Sequence, residues 1–283
     1  MTIETAVGRA TDINILMRQG HVYIADVERL YLELVEHHCR RYEQPRVLEI
    51  GCASGISSQR LAEILPHAEV FAQEEYAPFA ELARERLRDT RVRLHTESLA
   101  RLSGSFDVIV SGGAHHHMPD GYLNQVRALL RDNGVFVLAD EFCPEYCTPE
   151  QLAHIAGAPV IHLANGFVLT SPVEVEDYTS QSLLPARARQ MEVRRRRALW
   201  HWYRYVVDEA MRGDHVEVAI AELQSAHDDL ITGEEAEHKL APSILERQLA
   251  LAGFEVQRKH VFGPENDPTL QSVMAYEIGI AQR

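Results

Sequence analysis

"VLEIGCASGISSQ", residues 47–59, decides the fold. "RVLEI", residues 46–50, is a short apolar run that reads as a buried strand. It breaks at a cluster of small residues, and Ile56, Leu61 and Leu65 then recur at helical spacing. A strand that runs through a glycine turn into a helix is the context a nucleotide-binding turn requires, because the first helical N–H groups point at the ligand. The Gly-Lys-Ser/Thr ending of a Walker loop is absent, and the dinucleotide spacing G-x-G-x-x-G is not met. The pattern that fits is acidic-x-G-x-G-x-G, with Glu49, Gly51, Ala53 and Gly55 in the four places. Ala53 adds a methyl group where glycine is expected. That is tolerable at negative φ and restrictive at positive φ.

Working outward, residues 12–44 keep a helical period, with Val27, Leu30, Leu34 and His37/His38 on one face, until Pro45. Downstream, "AEVFAQEE", "RVRLHTE", "FDVIVSGG" and "VFVLADE" read as strands. Between them "APFAELARERLRD" and "LNQVRALLRDNG" read as helices, the second closed by Gly134. Strands alternating with helices over 46–141 predict a mostly parallel sheet with helices on both faces. Ligands bind beyond the carboxyl ends of such strands. The rhythm changes after residue 142. Residues 148–185 read as irregular, with Pro149, Pro159, Pro172 and Pro185. Two helical patterns follow: Leu199, Tyr203, Val206 and Ala210 up to Gly213, then Val216, Ile220, Leu223 and Leu230 up to Gly233, with Asp214 as the cap between them. "SILERQLALAG" restores a core helix, and "FEVQRKHVF" and "QSVMAYEIG" read as an antiparallel pair.

These motifs, in this order, resemble the class I S-adenosylmethionine-dependent methyltransferases. "VLEIGCASG" resembles the first motif, and "VFAQEEYAPFAELAR" the second. "RLHTESL" resembles the third and "GSFDVIVSGGAHHHMPD" the fourth. "RALLRDNGVFVLADE" follows, with Asn133-Gly134 in the Gly-Gly place. The resemblance implies a Rossmann-like, seven-stranded, mostly parallel sheet with helices on both faces and a helical lid insertion. It divides the chain into an N-terminal helical segment (1–44) covering the site, a core (45–142 and 236–283) and a mainly helical lid (143–235). It implies S-adenosylmethionine as cofactor, held by Glu49, Gly51, Cys52, Ala53, Gly55, Glu74, Glu75, Glu97, Ser98, Ser111 and Gly112. Glu74 stands as the ribose acid and Glu97 as the acid near the adenine amine. A ribose diol needs a carboxylate that accepts two hydrogen bonds, and Glu74 is of the right type.

A net charge of -14 argues against a nucleic-acid partner, which needs a positive surface. No secretion signal and no membrane-length apolar run is read, so a cytoplasmic protein is expected. Four cysteines, of which Cys143 and Cys147 share a loop, do not make a zinc pattern, and no metal is expected. The triplet His115–His117 cannot close on one ion, because adjacent side chains diverge. Its place after the fourth strand makes His115 the first candidate base and His116 the second. Within the lid, Trp200, Trp202, Tyr203, Tyr205 and Tyr178 are candidates to lie near a sulfonium, with Tyr178 the one carried as catalytic. Arg194 to Arg197 read as a solvated face or an anion clamp. His21 and Tyr23 are further candidates for covering the site. The expected reaction is methyl transfer to a small molecule in secondary metabolism. The same motifs fit enzymes that cyclise S-adenosylmethionine to azetidine-2-carboxylate with release of methylthioadenosine, or transfer its aminocarboxypropyl group, or a non-catalytic binder. The oligomeric state is open, with a homodimer one option.

Overall fold

The computed structural model describes residues 10–119, 121–164, 166–181, 183–232 and 239–282. Its centre is β1 (Arg46–Ile50), flanked by β2 (Glu69–Gln73) on one side and β4 (Phe106–Gly112) on the other. With β3 (Arg93–His95), β5 (Leu130–Glu141), β8 (Phe254–Phe262) and β9 (Val273–Ile280), the sheet order is β3-β2-β1-β4-β5-β9-β8. β1 to β5 are parallel, and β9 runs antiparallel to both β5 and β8. This is the Rossmann-like sheet the sequence predicts.

Alternating strand residues feed two cores. Val47, Val108, Val110, Val135 and Val137 pack under α2 (Ile24–Cys39) and α3 (Ile56–Ile64). Leu48, Ile50, Ile109, Phe136 and Leu138 pack under α5 (Tyr122–Leu129) and α10 (Pro242–Leu251). α4 (Ala77–Leu87) covers the outer strands. Each fully buried aliphatic or aromatic side chain stabilises the fold by roughly 1.5–3 kcal/mol. Among the described residues, the two filled faces leave the strand ends open to a ligand.

The inserted segment contains more regular structure than its prolines suggest. α6 (Pro149–Gly157) starts on a capping box between Thr148 and Gln151. A hairpin of β6 (His162–Ala164) and β7 (Phe167–Leu169) follows, then α7 (Pro172–Gln181). Prolines at the first turns of α6 and α7 start helices rather than prevent them. α8 (Ala186–Arg212) and α9 (Val216–His227) complete the insertion. Cys143 and Cys147 are buried in its core with Tyr146, Leu199 and Tyr203.

Four expectations are corrected. The single N-terminal helix is two, α1 (Ala10–Gly20) and α2, broken where Tyr23 takes φ 69. A Cβ on Gly20 would lie 2.5 Å from the His215 ring, so contact with the α8–α9 turn fixes this turn, which helical period cannot register. The helix expected to run to Gly134 ends at Leu129. Leu130 is buried and pairs with Phe106, and the Arg131–Asp107 ion pair anchors the start of β5. Asp214 does not cap α9; it takes φ 61, and His215 is the cap residue. Finally, α9 buries Val218, Ala219, Glu222 and Ala226, while Val216, Ile220 and Leu223 face outward. Small residues let α9 approach α8 closely, and bulk alone misled the sequence reading. The Gly233 stop lies outside the described residues.

The turn after β1 takes φ 64 at Gly51, 46 at Ala53 and 78 at Gly55. Ala53 is therefore the restrictive case, a residue with a Cβ held in the left-handed region at a cost of roughly 1–2 kcal/mol. A Cβ on Gly51 would lie 2.4 Å from the Ala114 Cβ, whereas one on Gly113 (φ 71) would meet nothing within 4 Å. Urea unfolding should show Gly113→Ala losing about 1 kcal/mol of backbone conformational energy. Gly51→Ala should lose at least ~2 kcal/mol more, since it adds a clash that Gly113→Ala lacks. Equal losses would show that the turn relaxes around Ala114.

Candidate active site

The carboxyl ends of β1, β2 and β4 converge where strand order reverses between β1 and β4. Glu74, one residue past β2, is buried and accepts from the Ala53 N–H at 2.8 Å and the Tyr76 N–H at 2.9 Å. Each oxygen keeps a lone pair. Burial raises the Glu74 pKa above the usual carboxylate value, against these two hydrogen bonds. Glu49 is buried inside the sheet end and accepts from the Ser58 hydroxyl. Burial pushes its pKa up to about 7, the Ser58 bond pulling the other way and the Glu28 charge adding to the rise.

Gln73 is a site residue that sequence reasoning missed. Its Oε1 accepts from the Gly51 N–H at 3.4 Å and its Nε2 donates to the Glu97 carbonyl at 3.0 Å, tying the glycine turn to the loop after β3. The only sequence signal is a buried amide ending an apolar strand. Glu97 itself is exposed, 3.8 Å from Arg101, and Ser98 is half-buried. Cys52 is a buried thiol whose pKa is raised by burial. Ser111 is buried, and its hydroxyl has no hydrogen-bond partner in the protein. At Gly112, a Cβ would lie 2.9 Å from the Tyr31 ring, so α2 closes over the end of β4.

The three histidines form a single helical turn, His115–His117, directly after β4. They separate by environment. His115 is buried against Tyr122 and Phe142 and shares a 2.5 Å hydrogen bond with the Tyr122 hydroxyl through Nδ1. Burial lowers its pKa to about 4. His116 instead donates from Nδ1 to Asp140 Oδ1 at 2.7 Å, and its backbone N–H reaches Oδ2 at 3.2 Å. Burial would raise the Asp140 pKa, but the charge and hydrogen bond of His116 hold it down to about 2. Asp140 is therefore an anion that fixes the ring and tautomer of His116.

All three histidines line one wall of a cavity of about 630 Å³, which extends to Glu75 on one side and to Leu163, Leu240 and Gln248 on the other. Its lining mixes polar groups with apolar side chains such as Met118, Leu123 and Leu163, which suits a small molecule. The lid aromatics lie elsewhere. Trp202 and Tyr203 are fully buried, bonded to Glu141 and Asp229 respectively, and Trp200 is exposed. Tyr205 bonds the Tyr23 hydroxyl, and half-buried Tyr178 sits on α7; neither lines the cavity. Of the arginine run, Arg195 is buried near Asp229, while Arg194 and Arg197 flank a shallow outer groove.

Residues 48–136 match the family Methyltransf_12, described as a methyltransferase domain. With the seven-stranded order and the acid at the end of β2, that match decides the assignment. Over residues 48–136 the chain carries a methyltransferase domain. S-adenosylmethionine is its cofactor, and the residues present suit it. Glu74 retains acceptor capacity, the Ser111 hydroxyl lacks a protein partner, and the glycine turn admits close backbone approach. An uncharacterised Synechococcus protein, syc1184_c, is 33% identical over 108 residues, covering 36% of this chain. The match covers only 24% of that protein's length. Among solved structures, a carbon methyltransferase, CurJ, aligns at TM-score 0.52 and 14% identity over 95% of this chain and 58% of its own. An S-adenosylmethionine-dependent methyltransferase from Clostridium acetobutylicum aligns at 0.51 and 12% identity over 96% and 99%. The mitomycin 7-O-methyltransferase MmcR aligns at 0.50 and 12% over 99% and 61%. At such identities the structural likeness speaks for the fold. Among the described residues, no helix is long and apolar enough to cross a membrane.

The methyltransferase domain holds His115 neutral in the folded state. Its folded pKa lies below the ordinary 6.5, so the unfolded chain takes up the proton first as pH falls. Stability should therefore drop by up to about 3 kcal/mol between pH 6.5 and pH 4. Chemical denaturation across that range should show this slope, and His115→Gln should flatten it. An unchanged slope in the variant would assign the acid sensitivity to other groups.

Proposed function

We propose that this protein methylates a hydroxyl or amine of a small molecule bound in the cavity beside the histidine turn, with His116 as general base. The supporting observation is the His116–Asp140 pair at 2.7 Å, on a ring that lines the cavity. His115 is the weaker candidate, because a buried ring with a pKa of about 4 has little affinity for a substrate proton. Glu74 holds the ribose, the backbone of Gly51, Ala53 and Gly55 approaches the ligand, and Glu49 balances its positive end. Glu75, Ser98 and Glu97 border the adenine side, and Ser111 and Gly112 the methionine side.

The bound cofactor supplies a methyl group on a cationic sulfur. The protein's part is to position the acceptor, exclude water and remove the acceptor proton. Asp140 stays ionised and steadies the imidazolium as it forms. The apolar wall of Met118, Leu123 and Leu163 keeps the acceptor desolvated.

Two measurements test this reading. Incubation with S-adenosylmethionine alone, followed by mass spectrometry, should leave the cofactor intact. Release of methylthioadenosine with a cyclic amino acid would replace methyl transfer by cyclisation. With an acceptor in hand, Asp140→Asn should cut kcat by roughly 10²–10⁴ with KM little changed, because it removes the charge behind His116. An unaffected kcat would remove His116 from the chemistry.

Glu49 supplies a further expectation. Uptake of a cation beside it favours the carboxylate over the protonated form, so S-adenosylmethionine should bind more tightly as pH rises through about 7. Calorimetry should find this trend in the wild type and a flat profile in Glu49→Gln.

A further inference from the structure

A second polar cluster lies at the end of β5, on the sheet face opposite the cavity. Side chains alternate along a strand. Asp140 follows Leu138 towards the α5–α10 face, while Glu141 follows Val137 and Ala139 towards the face under α2. There Glu141 meets His21, from the turn between α1 and α2, and Glu222, from α9. The His21 side chain has no solvent exposure, Glu222 has 3% and Glu141 13%.

The histidine geometry points to a ligand. His21 Nδ1 donates to the Val22 carbonyl at 2.6 Å, which in a neutral ring puts the lone pair on Nε2. That nitrogen is buried without a hydrogen-bond partner. It faces Glu222 Oε1 at 3.6 Å and Glu141 Oε2 at 3.8 Å. A lone pair aimed at two carboxylates is repulsive unless a cation lies between them. A charged N–H···O bond would draw these atoms to about 2.7–2.9 Å. Ligands about 2.0–2.2 Å from a tetrahedral metal instead stand roughly 3.3–3.6 Å apart, which is close to the spacing seen. The three ligand atoms all lie within 4.8 Å of one another. Neighbours fix the carboxylate of Glu141. The Trp202 indole donates to Oε1, and Lys239 Nζ stands 3.4 Å from Oε2, leaving that oxygen a further lone pair. The backbone bond at Nδ1 is the usual support for a metal-bound imidazole.

We propose that His21, Glu141 and Glu222 bind one divalent cation of the zinc or manganese class, with water completing its coordination. One imidazole and two carboxylates suit such borderline ions. The cation joins the N-terminal turn and the lid helix α9 to the sheet. It locks the lid in place and does not depend on the proposed methyl transfer.

The full-length protein, stripped with chelator, is titrated with zinc(II) and with cobalt(II). Calorimetry should give one equivalent per chain, with a raised Tm and visible cobalt bands of four- or five-coordination. His21→Ala and Glu222→Gln should each weaken binding at least ~10-fold and abolish those bands. Circular dichroism verifies that each variant is folded. Should His21→Ala fail to fold, the near-isosteric Glu222→Gln carries the comparison. A wild type that shows no such cobalt bands, or that binds zinc no more tightly than folded Glu222→Gln, overturns the proposal.

Discussion

Everything in this molecule follows from the reversal of strand order at β1. β2 leaves β1 on one side and β4 arrives on the other, so their connections part at the carboxyl ends and open a crevice. Among the described residues, apolar cores fill both faces of the sheet, which leaves the crevice to receive the cofactor. The chain must also leave β1 by a turn tight enough to keep that crevice open. Positive φ at Gly51, Ala53 and Gly55 meets this demand. Ala53 shows that the demand outweighs local preference, since a methyl group is held where glycine would sit without strain.

The crevice then divides its polar groups between the two faces of β5. Asp140 turns to one face and orders the histidine turn; Glu141 turns to the other and joins the N-terminal segment to the lid. Two consecutive acids thus serve separate sites because the strand period is two. The helical insertion is part of the same structure, with Trp202 and Val206 of α8 in the core under α2. Trp202 and Tyr205 are taken up by this junction and Tyr203 by its bond to Asp229, so none of the three lines the cavity.

Much of the fold was legible because buried parallel strands must be continuously apolar and their helices must be amphipathic. The five-strand rhythm and the closing antiparallel pair needed only those rules. The misread parts depend on partners distant in sequence. Leu130 is a strand residue because Phe106 and Asp107 lie beside it. α9 turns its small residues inward because α8 is there to receive them. Of the residues at the crevice, Glu49 to Gly55 and Glu74 were legible because local motifs contain them. Gln73 was missed because an amide at a strand end has no spacing pattern.

The sequence by itself determined the order of strands and helices, the glycine turn and the positions of the acids at the carboxyl ends of β1 and β2. Period and composition encode these, since each is a local consequence of burial and backbone conformation. Only the tertiary structure decided between the histidines. His115 and His116 are adjacent and chemically identical in the sequence. One is pressed against Tyr122 and Phe142 and loses its basicity to burial, while the other finds the Asp140 carboxylate. Only the folded chain, likewise, brings His21, Glu141 and Glu222 together, because that proximity depends on how three separate elements pack.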